Sequence, residues 1–260
     1  MGVAYNQKQR KPRRRGAIYF FMCVFLVAFV VWLSMNLFFK INRIEVTGST
    51  IYGEGAIISA SGVSVGDSPF FIDKNEILLN IFNNFPYVAE ASLIHRLPGT
   101  LVIEITERQA MGMVVHGNSC WLIDGAGRLL EQTSMRTPTG KPLIWGLDLQ
   151  APAAGNDAAV PEEDRDRLTA LLILFRELTW YELLPDTTEI DVSQAHLLRI
   201  TYDNERFQVL LGDVSDLDIK IPFMLAAVQE LPAEARGTVD VSRAAEQKKA
   251  SYIPDATPAP

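Results

Sequence analysis

The hydrophobic pattern changes period several times along the chain, and each change marks an element. From Ala17 to Phe39 (AIYFFMCVFLVAFVVWLSMNLFF) 23 residues pass without a charge. As a helix at about 1.5 Å per residue they reach roughly 35 Å, enough to cross a hydrocarbon core of about 30 Å. Ile41–Val46 (INRIEV) reads as a strand stopped by Thr47-Gly48-Ser49. Glu54–Ser61 reads as a short helix ended by Gly62. Asp73 and Glu76, spaced as a capping box, open a helix over Asn75–Phe85 with Ile77, Leu78, Ile81, Phe82 and Phe85 on one face, and Pro86 stops it. Val88–Leu97 and Thr100–Glu107 alternate as two strands around Pro98-Gly99. The order β-α-α-β-β predicts two helices against a three-stranded sheet.

After residue 109 short strands dominate. They are predicted at Met111–Val115, Ser119–Ile123, Arg128–Glu131 and Pro142–Leu147, with the turn Asp124-Gly125-Ala126-Gly127 joining the second to the third. Residues 148–160 are small, polar and Pro-containing, hence an exposed loop. A helix starts at Pro161, with Glu162, Glu163 and Asp164 in its first turn and Leu168, Leu171, Leu172, Phe175 and Leu178 as its buried stripe. Strands follow at Glu189–Val192, Leu197–Thr201 and Phe207–Leu211. A helix over Asp218–Leu231 comes next, with Pro222 tolerable only in its first turn, then strands at Gly237–Ser242 and Ser251–Ile253. The predicted fold class is α+β: an N-terminal transmembrane helix, a β-α-α-β-β domain, and a mostly antiparallel β domain with two helices. The predicted divisions are a basic tail over 1–16, the span over 17–39, domains over 40–109 and 110–254, and a disordered tail over 255–260.

Composition sharpens this organisation. The 260 residues carry a net charge of −7, but residues 1–15 hold six Lys/Arg and no acid. Taking those six from the 24 basic residues leaves 18 against 31 acidic ones, a net −13 for the remainder. Basic residues before the span and few after it place the N-terminus in the cytoplasm and residues 40–260 outside, by the positive-inside bias. The acidic remainder argues against a nucleic-acid partner. A cleaved signal peptide is the competing reading. The apolar run is longer than an h-region and ends Asn36-Leu37-Phe38-Phe39-Lys40 without a small-residue cleavage site, which favours a retained anchor.

Candidate chemistry is sparse. Gly62-Val63-Ser64-Val65-Gly66 fits G-x-S-x-G, and a membrane-anchored serine hydrolase using Ser64 is the alternative function. An elbow needs a strand before it and a helix after it, whereas here a helix precedes. His95, His116 and His196 are dispersed, and no Cys/His spacing suggests a metal. Glu162, Glu163, Asp164 and Asp166 read as a solvated capping face. Gly125-Ala126-Gly127 lacks a dinucleotide fingerprint, and Cys120 beside Trp121 reads as a buried free thiol. No catalytic, cofactor or metal residue is assigned, and no cofactor is expected.

INRIEVTGS, GVSVGDSPFFID and NNFPYVAEASLIHRLPGTLVIEITER together resemble the POTRA domain of the FtsQ/DivIB family of bacterial cell-division proteins. The matching positions are Ile44, Val46, Gly48, Gly62, Gly66, Pro86, Val88, Pro98 and the pair Glu107-Arg108; Gln109-Ala110 departs from the family's Glu-Arg-x-Pro. LIDGAGRLLE, PLIWGL, EIDVS, VLLGD with Lys220, GTVDVS and Ser251-Tyr252-Ile253-Pro254 resemble the family's β domain. The resemblance implies a non-enzymatic, single-pass divisome scaffold at the division septum. Its partners would be small single-pass coiled-coil proteins of the FtsB/DivIC and FtsL type, with indirect links to the septal peptidoglycan synthase and transpeptidase. It also implies a contact face at the C-terminal end. On this chain that face would comprise the helix Asp218–Leu231, Val239 and Val241, and segment 249–254 with Tyr252 and Ile253. Val239 and Val241 read equally well as core. A terminal strand with an unpaired edge would suit strand addition by a partner. An outer-membrane assembly factor, the other POTRA-bearing class, needs a long barrel for which too few residues remain.

Overall fold

The computed structural model describes residues 14–38, 40–96, 98–135 and 140–255, and the side chains of 14–17 and 34–38 lie outside the description. The predicted basic tail therefore lies outside the described residues except for the backbone of 14–16, and the predicted C-terminal tail except for Asp255. Helix α1 (Arg14–Phe38) covers most of the predicted span. Its side chains from Ile18 to Leu33 are all exposed, among them Phe21, Phe25 and Trp32. Among the described residues no helix is long and apolar enough to cross a membrane.

Strand β1 (Arg43–Thr47), helices α2 (Glu54–Ser61) and α3 (Lys74–Asn84), and strands β2 (Val88–Arg96) and β3 (Thr100–Glu107) follow in the predicted order. Their sheet runs β1-β3-β2, with β1 parallel and β2 antiparallel to β3. Gly62 closes α2 in the left-handed conformation, and the Asp73 carboxylate caps α3 by accepting the Asn75 and Glu76 N–H groups. The two helices bury Ile57, Ile77 and Ile81 against Leu101, Ile103 and Ile105. The sequence places the start of β1 at Ile41, but Ile41 is bonded elsewhere. Its N–H donates to the Asp67 carbonyl and its carbonyl accepts from Gly66, so it ties the strand to the loop between the helices. Gly48 has φ +83, and a side chain there would run into the Ile105 carbonyl oxygen.

The remaining strands form one sheet. They are β4 (Ala110–His116), β5 (Ser119–Asp124), β6 (Leu129–Thr133), β7 (Leu143–Trp145), β8 (Thr187–Asp191), β9 (Leu198–Tyr202), β10 (Phe207–Gly212), β11 (Gly237–Asp240) and β12 (Ser251–Pro254). The order is β12-β11-β10-β9-β8-β7-β4-β5-β6. Pairing is antiparallel except at β10–β11, β7–β8 and β4–β7, so the expectation of a mostly antiparallel sheet holds. Helices α4 (Arg165–Trp180) and α5 (Leu217–Glu230) cover one face, burying Leu171, Leu174, Phe175, Ile221 and Met224.

Four details depart from the expectations. Asp164 is buried rather than solvated, because its carboxylate pairs with Arg167 at 2.6 Å and accepts the Asp148 N–H. Pro222 lies inside α5, beyond its first turn; the Asp218 carbonyl that loses its helical donor accepts the Tyr181 hydroxyl at 3.1 Å. Strand β11 ends at Asp240, whose carboxylate accepts the Ser242 N–H and hydroxyl and bends the chain. That bend leads into a short helix, α6 (Ala244–Gln247), which the sequence pattern does not announce.

Candidate partner-binding site

The C-terminal strand β12 is one edge of the large sheet. Hydrogen-bond direction along it follows from its neighbours. Gly237 donates to Arg206 and Val241 to Leu210, so in β11 the N–H groups of the odd-numbered residues point at β10 and those of Thr238 and Asp240 at β12. The register pairs Thr238 with Ile253, Val239 with Tyr252 and Asp240 with Ser251. The Asp255 N–H reaches the Arg236 carbonyl, which makes Gly237–Pro254 a pair without hydrogen bonds, as the same alternation requires. The backbone N–H and C=O of Tyr252 therefore point outward from the edge, as does the carbonyl of Pro254.

The side chains of the two strands divide in the same way. Val239 and Val241 are fully buried in the core beneath α5. Their side chains are thus unavailable as contacts, because the helices cover this face of the sheet. Tyr252 sits on that face beside Val239, its ring edge-on to Phe207 at 6.5 Å and its hydroxyl on the Arg236 carbonyl at 2.9 Å. This holds the last strand in register. Ile253 projects from the opposite face and is 61% exposed. The other end of the sheet differs: beside β6, the loop over 148–160 pairs with Leu129 through Asn156 and Gly155. The loop thus pairs the first residue of that edge strand, while β12 offers backbone along its outer side.

The loop leading to α5 is also fixed from inside. Lys220 is buried, and its ammonium donates to the Asp213 carboxylate at 2.8 Å and carbonyl at 3.0 Å. That contact holds the Asp213 carboxyl below its ordinary range, with a smaller contribution from the Ser215 hydroxyl.

At the junction of the two sheets, the adjacent residues Glu107 and Arg108 take different jobs. The Glu107 carboxylate accepts four hydrogen bonds, from the Ser49 and Thr50 hydroxyls and the Thr50 and Ile51 N–H groups. Desolvation pushes its pKa up, but those bonds outweigh it and hold the carboxyl down to about 2. Arg108 faces the other way. Its guanidinium meets Asp124 of β5 at 2.7 Å, with side-chain exposures of 18% and 6%, and Nε donates to the Val88 carbonyl. The second Asp124 oxygen accepts the Ala126 and Arg128 N–H groups, so the hairpin turn organises the acid that receives Arg108. Tyr87 completes the joint by packing against the far side of the large sheet, with Met113, Cys120, Leu122 and Leu130. Burial first, then the Glu131 carboxylate, raises its phenol pKa.

The alternative site fails on geometry. Ser64 lies in the loop between α2 and α3, and the Asp67 carboxylate accepts its N–H at 2.8 Å. An oxyanion hole requires free donors, and here the serine's own N–H is occupied by an anion. Among the described residues no cluster of His, Cys, Asp or Glu could hold a metal ion. Cys120 is buried, which raises its thiol pKa.

The small sheet with two helices on it, joined through Glu107-Arg108 to a larger sheet, defines a protein with a single POTRA unit carrying a β domain. Residues 39–108 match the POTRA domain, FtsQ-type. The chain is 28% identical over 219 residues to cell division protein DivIB of Clostridium acetobutylicum, covering 83% of this chain and 85% of that one. It is 23% identical over 237 residues to the DivIB of Clostridium botulinum, covering 90% and 91%. It is 28% identical over 158 residues to cell division protein FtsQ of Syntrophotalea carbinolica, covering 59% and 55%. The FtsQ-type POTRA match and these relatives together support placing the chain with the FtsQ/DivIB cell-division proteins.

Proposed function

We propose that this protein is a non-enzymatic scaffold of the division machinery, anchored by α1 with its N-terminus in the cytoplasm and both folded domains, 40–109 and 110–254, outside. Its partners are small single-pass coiled-coil division proteins of the FtsB/DivIC and FtsL type, through which it connects at the septum to the peptidoglycan synthase and its transpeptidase. The observation that carries this reading is the edge of β12: outward-facing Tyr252 N–H and C=O beside exposed Ile253. A partner strand added there gains main-chain hydrogen bonds, and side chains on the outer face gain Ile253 as a contact. Tyr252 serves from behind, as the residue that holds the edge straight, while Val239 and Val241 support it from the core.

The test is co-purification from detergent-solubilised membranes of the source cell, comparing the native chain with Tyr252→Pro and with Ile253→Glu. The first substitution removes the outward donor; the second places a charge where a partner would pack. Small single-pass coiled-coil proteins bound to the native chain and lost with both variants support the reading. Equal recovery with all three baits would sink it.

A further inference from the structure

The POTRA unit has two ends. Strand β1 starts where the chain leaves α1, which ends at Phe38, three residues or at most about 10 Å of extended chain before Ile41. At that end lie the loop joining α2 to α3, bonded to Ile41 through Gly66 and Asp67, and the β2–β3 turn, whose Gly99 carbonyl accepts the Asn42 and Arg43 N–H groups. At the other end lie the turn over 49–51, Glu107 and the joint to the large sheet.

The end beside the anchor carries an unusual loop. Phe71 is 75% exposed and Val65 64%, with Phe70 next to them also exposed. An exposed aromatic and an exposed β-branched residue on one loop beside the anchor suit an apolar surface. The acids of the same loop stay charged but are turned onto backbone N–H groups. Asp67 is engaged by the Ser64 N–H and Asp73 by the Asn75 and Glu76 N–H groups, while Lys40 and Lys74 flank the loop and are exposed. Exposed apolar side chains on a loop bonded to the anchor end of the domain fit a bilayer interface.

We propose that Val65 and Phe71 dip into the outer-leaflet interface of the membrane that holds α1, and thereby set the orientation of the folded part above it. The inference rests on the anchored reading of α1. Because the anchor keeps the loop within reach of the surface, the contact is intramolecular, and a weak interfacial affinity suffices to keep it occupied. The POTRA unit is then a fixed spacer: lipid contact at one end, the rigid Arg108–Asp124 joint at the other, and β12 carried by the sheet beyond.

The test uses the full chain reconstituted in vesicles of phosphatidylethanolamine and phosphatidylglycerol. Phe71→Cys, Val65→Cys and, at the far end, Ile51→Cys are each labelled with an environment-sensitive fluorophore, in a Cys23→Ser background with Cys120 left buried. Nitroxide-bearing lipids should quench positions 65 and 71 several-fold more strongly than position 51. Carbonate extraction is run on the same vesicles. Chain retained in the pellet with equal or no quenching at 71 and 51 overturns the lipid contact alone. Chain released by carbonate overturns the anchor and the lipid contact with it.

Discussion

Arg108→Met removes a short, largely buried ion pair that links the two sheets, while keeping most of the side-chain volume. The loss has two parts: the 2.7 Å contact to Asp124 and the Nε bond to the Val88 carbonyl. Breaking one partner out of a buried pair costs about 3–5 kcal/mol, largely because the remaining charge is stranded. Here Asp124 keeps the Ala126 and Arg128 N–H groups and Arg108 is partly exposed, so the stranded charge is half compensated. The expected destabilisation is about 2 kcal/mol, two hydrogen bonds of a charged group at about 1 kcal/mol net each after that compensation. It should be concentrated at the joint. Peptide-resolved hydrogen exchange on the detergent-solubilised chain is the assay: amides around Arg108 and across the turn over 124–128 should lose protection by roughly that free energy. Those of α2 and α3, which pack in a separate core, should change little. Asp124→Asn should cost a similar amount, and the double variant little more than either. Unchanged exchange at the joint, or additive losses in the double variant, would refute the claim that this pair couples the sheets.

Glu107→Gln should destabilise the POTRA unit by about 1–2 kcal/mol, the shift from 4.5 to about 2 discounted for solvent screening. In the native chain this contribution is fully present above pH 4.5 and is lost as pH falls toward 2, because the depressed group must be protonated. Acid titration of stability for both proteins checks the window. Lys220→Met should lower stability by about 1–2 kcal/mol and return the Asp213 carboxyl toward its ordinary pKa, readable by NMR titration. Gly48→Ala forces a side chain onto the Ile105 carbonyl at φ +83 and should cost about 2 kcal/mol or more in denaturant unfolding.

Local pattern carried the fold a long way, since helices α2 and α3 and strand β3 lie within a residue of their predicted bounds. What it missed is non-local or short. Strand β7 has three residues and is wedged parallel between β4 and β8, pairings that no periodicity encodes. Four-residue α6 falls below the length at which helical period is visible. Asp124 reads as a turn residue, and only the fold brings Arg108 to it from 16 positions away. Alternation put Val239 and Val241 on one face but could not say whether a helix covers it; α5 does. The pattern marks Ser251–Ile253 as a strand and so puts Tyr252 and Ile253 on opposite faces. Which of them faces out follows only from the register of β12.

The most direct measurement of the central claim is hydrogen exchange of the segment 249–255, with and without the co-purified small partner. The strand-addition account predicts that the Tyr252 amide, which points away from β11, exchanges quickly in the free chain and slowly in the complex. Ser251 and Ile253, already paired inward, should gain less. A complex that forms while the Tyr252 amide still exchanges at its free rate would contradict the account and move the contact elsewhere on the molecule.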